Sequence, residues 1–415
     1  MAIPFANLIR SRAVPAIADL RPLDDPETCL LLHCGRATLA PERAAQVRSL
    51  AEAGLDWQRV LALAARHGLQ ALLHRHLTRI CPASVPATTL AALRDYVQTN
   101  SAFSVLLTGE LLRLLAALDE QGVEAMPFKG PALAQMLYGH VALRQFCDLD
   151  ILVRERDVWR ATAILEAHGF VADLPVPPKR RAAFVRQDYV RLFTRSGGRT
   201  LVELHWAVSP RSFAVRFDGA VWQRLRSMPL QGRTVRMAAD EDLLLMLCVH
   251  GSRHSWDKLE GLASVAELLQ RNPSLDWASV CRRAEAMHCR RMVTVGVLLA
   301  HGLFDAPLPF APPSPLSGPI RRLVRAIVRE SRGLATPMPT FAGRTAFYLR
   351  LKDTYADRAL AFAREFTTPT PADWALVDLP GPLSVAYPLV RALRVARKHG
   401  FPPPRPAGAG PRATA

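Results

Sequence analysis

The stretch that most limits how this 415-residue chain can fold is 123–153, VEAMPFKGPALAQMLYGHVALRQFCDLDILV. A short apolar run ends in Lys129-Gly130, a helical segment follows, and a second apolar run carries Asp148 and Asp150 around Leu149. Strand side chains alternate between faces, so Asp148 and Asp150 project together from the start of one strand. Two adjacent carboxylates repel each other, and a shared divalent cation relieves that repulsion most readily. The Lys129-Gly130 junction lies where a strand turns into a helix. It offers free backbone N–H groups, a positive helix end and a cationic side chain. An anion binder facing a carboxylate pair suits metal-assisted phosphoryl transfer.

Around this stretch the texture changes twice. Residues 41–80 repeat apolar positions every three to four residues, with Gly68 as an internal soft spot, and a second helical pattern runs from about 88 to 119. Gly122 ends it. VEAMPF then reads as a strand, PALAQMLYG as a helix, DLDILV as a strand and DVWRATAILEAHGF as an amphipathic helix. Two further strands are expected at about 183–195 and 199–208, joined by a hairpin turn at Ser196-Gly197-Gly198. The expected fold class is α+β, a small mixed sheet with helices packed on it. Beyond about 238 the pattern is helical again, with Asp240, Glu241 and Asp242 at a helix start. Helices are expected near 258–271, 276–288, 290–303, 317–334, 341–366 and 372–399, with a Pro-rich linker at 305–319. The resulting division is 1–100 N-terminal helical, 101–237 core, 238–400 C-terminal helical and 401–415 a disordered tail.

No uninterrupted apolar run reaches the ~18–20 residues of a membrane span, and residues 1–20 lack the pattern of a secretory signal. A cytoplasmic location with no membrane partner is the expectation. The net charge of +17 invites a nucleic-acid partner. Only five of the 53 basic residues are lysine, however, and the arginines are spread along the chain, which a GC-rich genome explains as well. The seven cysteines form no C-x-x-C pair, and neither Cys29/His33/Cys34 nor Cys281/His288/Cys289 has a recognised zinc spacing. Buried free thiols are expected instead.

A third carboxylate stands at Glu203 in LVELHW, where Glu203 and His205 share one strand face and Leu204 and Trp206 the other. Beside DLDILV this strand would bring Glu203 towards Asp148 and Asp150, the acidic set of a two-metal phosphoryl-transfer site. Arg144 either reaches a phosphate through its planar fork or caps a loop. His205 is expected to pack beside the site, and His250 and His254, at i and i+4, to form either a metal or acceptor site or a helix-packing pair.

KGPALAQMLYG, LRQFCDLDILV and VELHW, in that order, resemble the uncharacterised nucleotidyltransferase family of the DNA polymerase β-like superfamily. HGLQALLHRHL and EDLLLMLCVHGSRHSWDKLEGLASVAELL extend the resemblance to roughly residues 30–305. It implies a nucleotidyltransferase core between helical flanks, and transfer of a nucleoside monophosphate from an NTP to a hydroxyl acceptor. Asp148, Asp150 and Glu203 would be catalytic metal ligands for two Mg²⁺ (or Mn²⁺) ions, Glu203 activating the acceptor hydroxyl. Lys129 and Gly130 would hold the triphosphate, with Arg144 as a further nucleotide contact. Glu203 stands where members often have Asp, and Gly261 and Ser264 stand where Trp and Asp are expected. The acceptor, whether small molecule, peptide, protein or RNA, is left open. A catalytically silent nucleotide- or RNA-binding protein is the alternative.

Overall fold

A computed structural model describes residues 25–399, apart from 196, 199, 216, 218, 309–317, 332–340, 378 and 380. The expected tail at 401–415, most of the Pro-rich linker and Ser196 lie outside the described residues. The chain opens with helices α1 (Pro26–Cys34), α2 (Pro41–Glu52), α3 (Trp57–His67), α4 (Gln70–Ile80) and α5 (Ala87–Glu120). The stretch read as helical over 41–80 is therefore three helices. Asp56 caps α3 by accepting from the Arg59 N–H, and Gly68, left-handed at φ +70°, closes it. Gly122 ends α5 as expected: its N–H donates to Asp119, and that of Val123 to Leu118. By length and composition α5 could cross a membrane. Its Leu93, Leu107, Leu111, Leu114 and Leu118 are buried in the protein, while Val105 and Leu106 are exposed.

The core comprises β1 (Ala125–Pro127), α6 (Gly130–Tyr138), β2 (Asp148–Val153), α7 (Val158–Ala167), β3 (Phe170–Ala172), α8 (Arg181–Gln187), β4 (Val190–Arg195) and β5 (Leu201–His205). Its sheet is mixed, in the order β1-β2-β5-β4-β3, with β2 and β5 parallel and every other pair antiparallel. The strand expected over 183–195 holds only from Val190. Residues before it form α8, whose Phe184 and Val185 are buried while the Val185 carbonyl accepts from the Trp206 indole. A short apolar run does not distinguish strand from buried helix. A second sheet, β6 (Arg226–Leu230) and β7 (Arg233–Met237), was not anticipated. Its two-residue turn, Gln231-Gly232, is left-handed at both positions, and a Gln in the first of them gives little sequence signal.

Strand alternation sorts the sheet into two faces. Leu149, Ile151, Val153, Val202, Leu204 and Phe193 are buried against Leu107, Leu111 and Leu114 of α5 and Val158 and Leu165 of α7. Each such side chain contributes about 1.5–3 kcal/mol. The opposite positions of β2 and β5 carry Asp148, Asp150, Glu203 and His205, so the apolar face sets the register that aims the polar one.

Helices α9 (Asp240–Arg253), α10 (Leu259–Arg271), α11 (Trp277–Ala286), α12 (Arg290–Phe304) and α13 (Gly318–Ser331) follow. Next come α14 (Phe341–Arg350), α15 (Tyr355–Thr367), α16 (Pro371–Leu376) and α17 (Tyr387–His399). The single helix expected over 341–366 breaks at Thr354, which caps α15 in a reciprocal pair with Asp357. The pattern over 372–399 likewise divides, into α16 and α17. Leu30, Leu63 and Leu72 from the first helices share one apolar core with Leu244, Leu262 and Leu298 from the later ones.

Lys352, between α14 and α15, is wholly buried, with its ammonium donating to the Phe213 carbonyl and 4.0 Å from the Phe213 ring centre. Burial pushes its pKa down to about 8. The folded form thus releases its proton before the unfolded form, whose lysine holds it to about 10.5. Below pH 8 the fold carries the full penalty of the buried charge, and the penalty fades as pH rises to 10.5. We therefore expect Lys352→Met to be more stable than the parent at pH 7, with the difference shrinking by about 3 kcal/mol by pH 10.5. Urea unfolding of both proteins across that range checks it.

Candidate active site

The site forms where β1 gives way to α6 and β2 runs alongside β5. The Phe128 N–H donates to the Asp150 carbonyl at 3.0 Å, extending the β1–β2 pairing to the turn. Gly130 then adopts φ +57°, which lets the chain reverse directly into α6. That geometry carries the Lys129 ammonium to 2.9 Å from Asp150 Oδ1. It also lies 3.5 Å from His250 Nε2.

In the parallel β2–β5 register Asp150 stands directly opposite Glu203. His205, two residues on, points the same way and places Nε2 3.2 Å from Asp150 Oδ1 and 3.1 Å from Glu203 Oε2. The structure thus brings Glu203 to the D-x-D strand as expected. It also brings in His205, which the sequence reading left at the margin; the Glu-x-His spacing was the available signal. Asp148 begins β2 and lines the same cleft, although the tightest donor group is Asp150, Glu203 and His205.

Charge is unevenly shared. Burial, then repulsion from Asp150, pushes Asp148 up to about 6. Asp150 is buried as well, yet the Lys129 ammonium and the His205 contact hold it far below the usual carboxylate range. The His205 hydrogen bond lowers Glu203. Burial opposes a charge on His205, but its contacts with Asp150 and Glu203 prevail and raise its pKa.

The far wall of the cleft, whose volume is about 360 Å³, comes from α9, α10 and the loop between them. Arg144 is buried there, its Nε paired with Glu260 and 3.4 Å from Ser264 Oγ. It therefore ties the segment before β2 to α10, at Glu260 beside the departure at Gly261 and at the second departure, Ser264. His250 and His254 both line the cleft, with ring centres 4.5 Å apart. Burial and Lys129 push His250 well below its ordinary value, and burial and Arg253 bring His254 down to about 4, so both are neutral at pH 7. Sequence reasoning missed Arg253, Trp256 and Lys258, which also line the wall. Arg253 contacts the Tyr189 hydroxyl and donates to His254 Nε2 at 2.9 Å. Ser255 and Trp256 are both left-handed at φ +55°. Gly251 and Gly296 make that turn feasible: a Cβ on Gly251 would fall 2.2 Å from the Trp256 ring, and one on Gly296 3.0 Å from it. The indole fills the slot they leave and pins the rim of the cleft. Cys147, expected among buried thiols, is exposed at this rim because it precedes the strand edge.

The donor set fits a divalent cation. The ligand atoms of Asp150, Glu203 and His205 all lie within 4.8 Å of one another. Asp150 Oδ2 is buried with no hydrogen-bond partner among the described residues, and Asp148 is adjacent, its charge opposed by Asp150. An added cation would satisfy the first and relieve the second.

A parallel strand pair presenting acidic residues beside a lysine-bearing strand–helix turn is an arrangement suited to nucleotidyl transfer. Residues 53–305 match the family model described as uncharacterised nucleotidyltransferase, and the chain belongs to that family. Among solved structures, the solution structure of the antibiotic-resistance factor ANT(2'')-Ia is similar over 44% of this chain and 91% of that one. Its identity is 17% and its TM-score 0.31, a likeness too slight to bear on fold or function. No curated protein matches the sequence.

Proposed function

We propose that the protein transfers a nucleoside monophosphate from an NTP to a hydroxyl acceptor, in the cytoplasm, where NTPs are plentiful. The observation that carries this reading is the β2–β5 register, which sets Glu203 against Asp150, with Asp148 and Lys129 on the same cleft. Asp148, Asp150 and Glu203 would hold divalent cations, two Mg²⁺ or Mn²⁺ ions, as the catalytic set. When bound, these cations neutralise developing phosphate charge and acidify the acceptor hydroxyl.

The chain's own residues supply the rest. Lys129 and the backbone N–H groups that open α6 at Gly130 receive the triphosphate; Arg144, expected as a further nucleotide contact, lines the cleft with its Nε held by Glu260. Glu203, kept ionised by His205, is the carboxylate turned to the acceptor. The acceptor rests against α9 and α10, which line the cleft opposite the sheet. Its class, whether small molecule, peptide, protein or RNA, follows from experiment. Purified protein is incubated with each NTP radiolabelled at the α-phosphate, a divalent cation, and host lysate separated into RNA, protein and small molecules. Label in one fraction identifies nucleotide and acceptor class together. Nucleotide binding with no label in any fraction would sink the enzyme reading in favour of a silent nucleotide-binding protein.

A further inference from the structure

We infer that His205 is itself a metal ligand, which makes one cation position a mixed nitrogen–oxygen site suited to a first-row transition ion ahead of Mg²⁺. This rests on the metal-dependent reading above and sharpens it, because an all-carboxylate site would bind through oxygen alone.

The geometry carries the inference. His205 Nε2 is 3.2 Å from Asp150 Oδ1 and 3.1 Å from Glu203 Oε2. Donor atoms bound to one cation with arms of roughly 2.0–2.2 Å stand roughly 3.0–3.4 Å apart along the edges of the coordination polyhedron. Each distance is a hydrogen bond in the ion-free protein, and an ion that displaces the shared proton finds the three ligand atoms within 4.8 Å of one another. Three features of the chain hold them so. Glu203 and His205 share a face of β5, parallel pairing sets Asp150 opposite Glu203, and the imidazole packs edge-on to Phe128 at 6.2 Å between ring centres. Asp150 is 2% exposed and keeps Oδ2 unpartnered among the described residues, so a carboxylate oxygen remains for the ion.

The nitrogen donor decides the class of ion. Mg²⁺ favours oxygen ligands in near-ideal octahedral geometry and retains water. Imidazole nitrogen favours transition ions, with affinity rising from Mn²⁺ towards Zn²⁺ and Cu²⁺. A site with one imidazole and two carboxylates therefore ranks Mn²⁺ and its heavier neighbours above Mg²⁺.

Mn²⁺ is the probe, because its electron spin reports directly on bound nitrogen. Protein with Mn²⁺ but no nucleotide is examined by pulsed electron spin resonance, once unlabelled and once with ¹⁵N-histidine. The expected result is a nitrogen coupling that changes on labelling and is lost in His205→Gln but kept in His250→Gln. Competition for Mn²⁺ should show the parent preferring Mn²⁺ over Mg²⁺, and His205→Gln losing about tenfold or more of that preference. Bound Mn²⁺ without histidine coupling in the parent protein, a measurement that needs no variant to fold, would overturn the role of His205 alone. So would a coupling that disappears only in His250→Gln. Failure of Mn²⁺ to bind, with or without NTP, would overturn the metal-dependent reading of the whole site.

Discussion

Asp148→Asn should abolish nucleotidyl transfer while leaving the protein as stable as the parent, or more so. Asp148 sits at the start of β2, part-exposed on the cleft, and its carboxyl is raised to about 6 from an ordinary value of 3.8 by burial and by Asp150. A group raised in this way costs the fold stability above pH 6, and the cost disappears below pH 4. The amide keeps the shape and removes the charge. At pH 7 the variant should therefore match or exceed the parent in urea unfolding, with the two converging as pH falls towards 4. Transfer should fall on the order of 10³-fold, because a lost metal ligand removes several kcal/mol of charge stabilisation from the transition state. A residue whose removal improves the fold and destroys the reaction is held there by function. Transfer at parental rates would sink the assignment of Asp148. Asp150→Asn is a poorer test, since Asp150 is buried in contact with Lys129 and His205 and its loss disrupts that network as well as the site.

The largest effect on stability is expected outside the cleft lining, at Glu267. This α10 side chain accepts from Arg36 Nε at 2.7 Å and from the Ala37 N–H at 2.9 Å. Arg36 also donates to the Phe304 carbonyl at the end of α12 and to Gln270. Both charged side chains are under a tenth exposed. Together they join the first helices to the later ones, whose apolar residues share a core. Glu267→Ala leaves the Arg36 guanidinium buried and uncompensated, which costs about 3–5 kcal/mol. Replacing both partners with apolar residues, as in Arg36→Met with Glu267→Leu, should recover most of that loss, because neither charge then needs a partner. Denaturant midpoints for the two single variants and the double variant test this. A Glu267→Ala cost below about 1 kcal/mol, typical of an exposed pair, would show that the clamp is ornamental.

Much of the site was legible in the sequence because its logic is local. The D-x-D spacing needs only a strand's two-residue period, and the Lys129-Gly130 turn only a glycine free to adopt positive φ. Glu203 was reachable by the same alternation. What failed were distinctions that local pattern does not contain. Phe184 and Val185 are as apolar in α8 as they would be in a strand, and only their burial beneath Trp206 selects the helix. Gly68 looked tolerable inside a helix until its left-handed conformation showed a helix end. Trp256 gave no sign that it would lodge between Gly251 and Gly296, because its slot is built from helices about forty residues apart.

The sequence by itself determined the fold class and the chemistry on offer: an α+β core, and carboxylates paired on one strand near a lysine at a strand–helix turn. Periodicity and backbone preference act over a few residues, so they survive in a linear reading. Only the tertiary structure decided which groups meet. Parallel pairing of β2 with β5 put Asp150, Glu203 and His205 within reach of one ion. The packing of α9 and α10 turned Arg144 towards Glu260 and set His250 behind Lys129. Such meetings depend on strand register and helix packing across long separations in the chain. Buried apolar surface settles those, and no short motif encodes them.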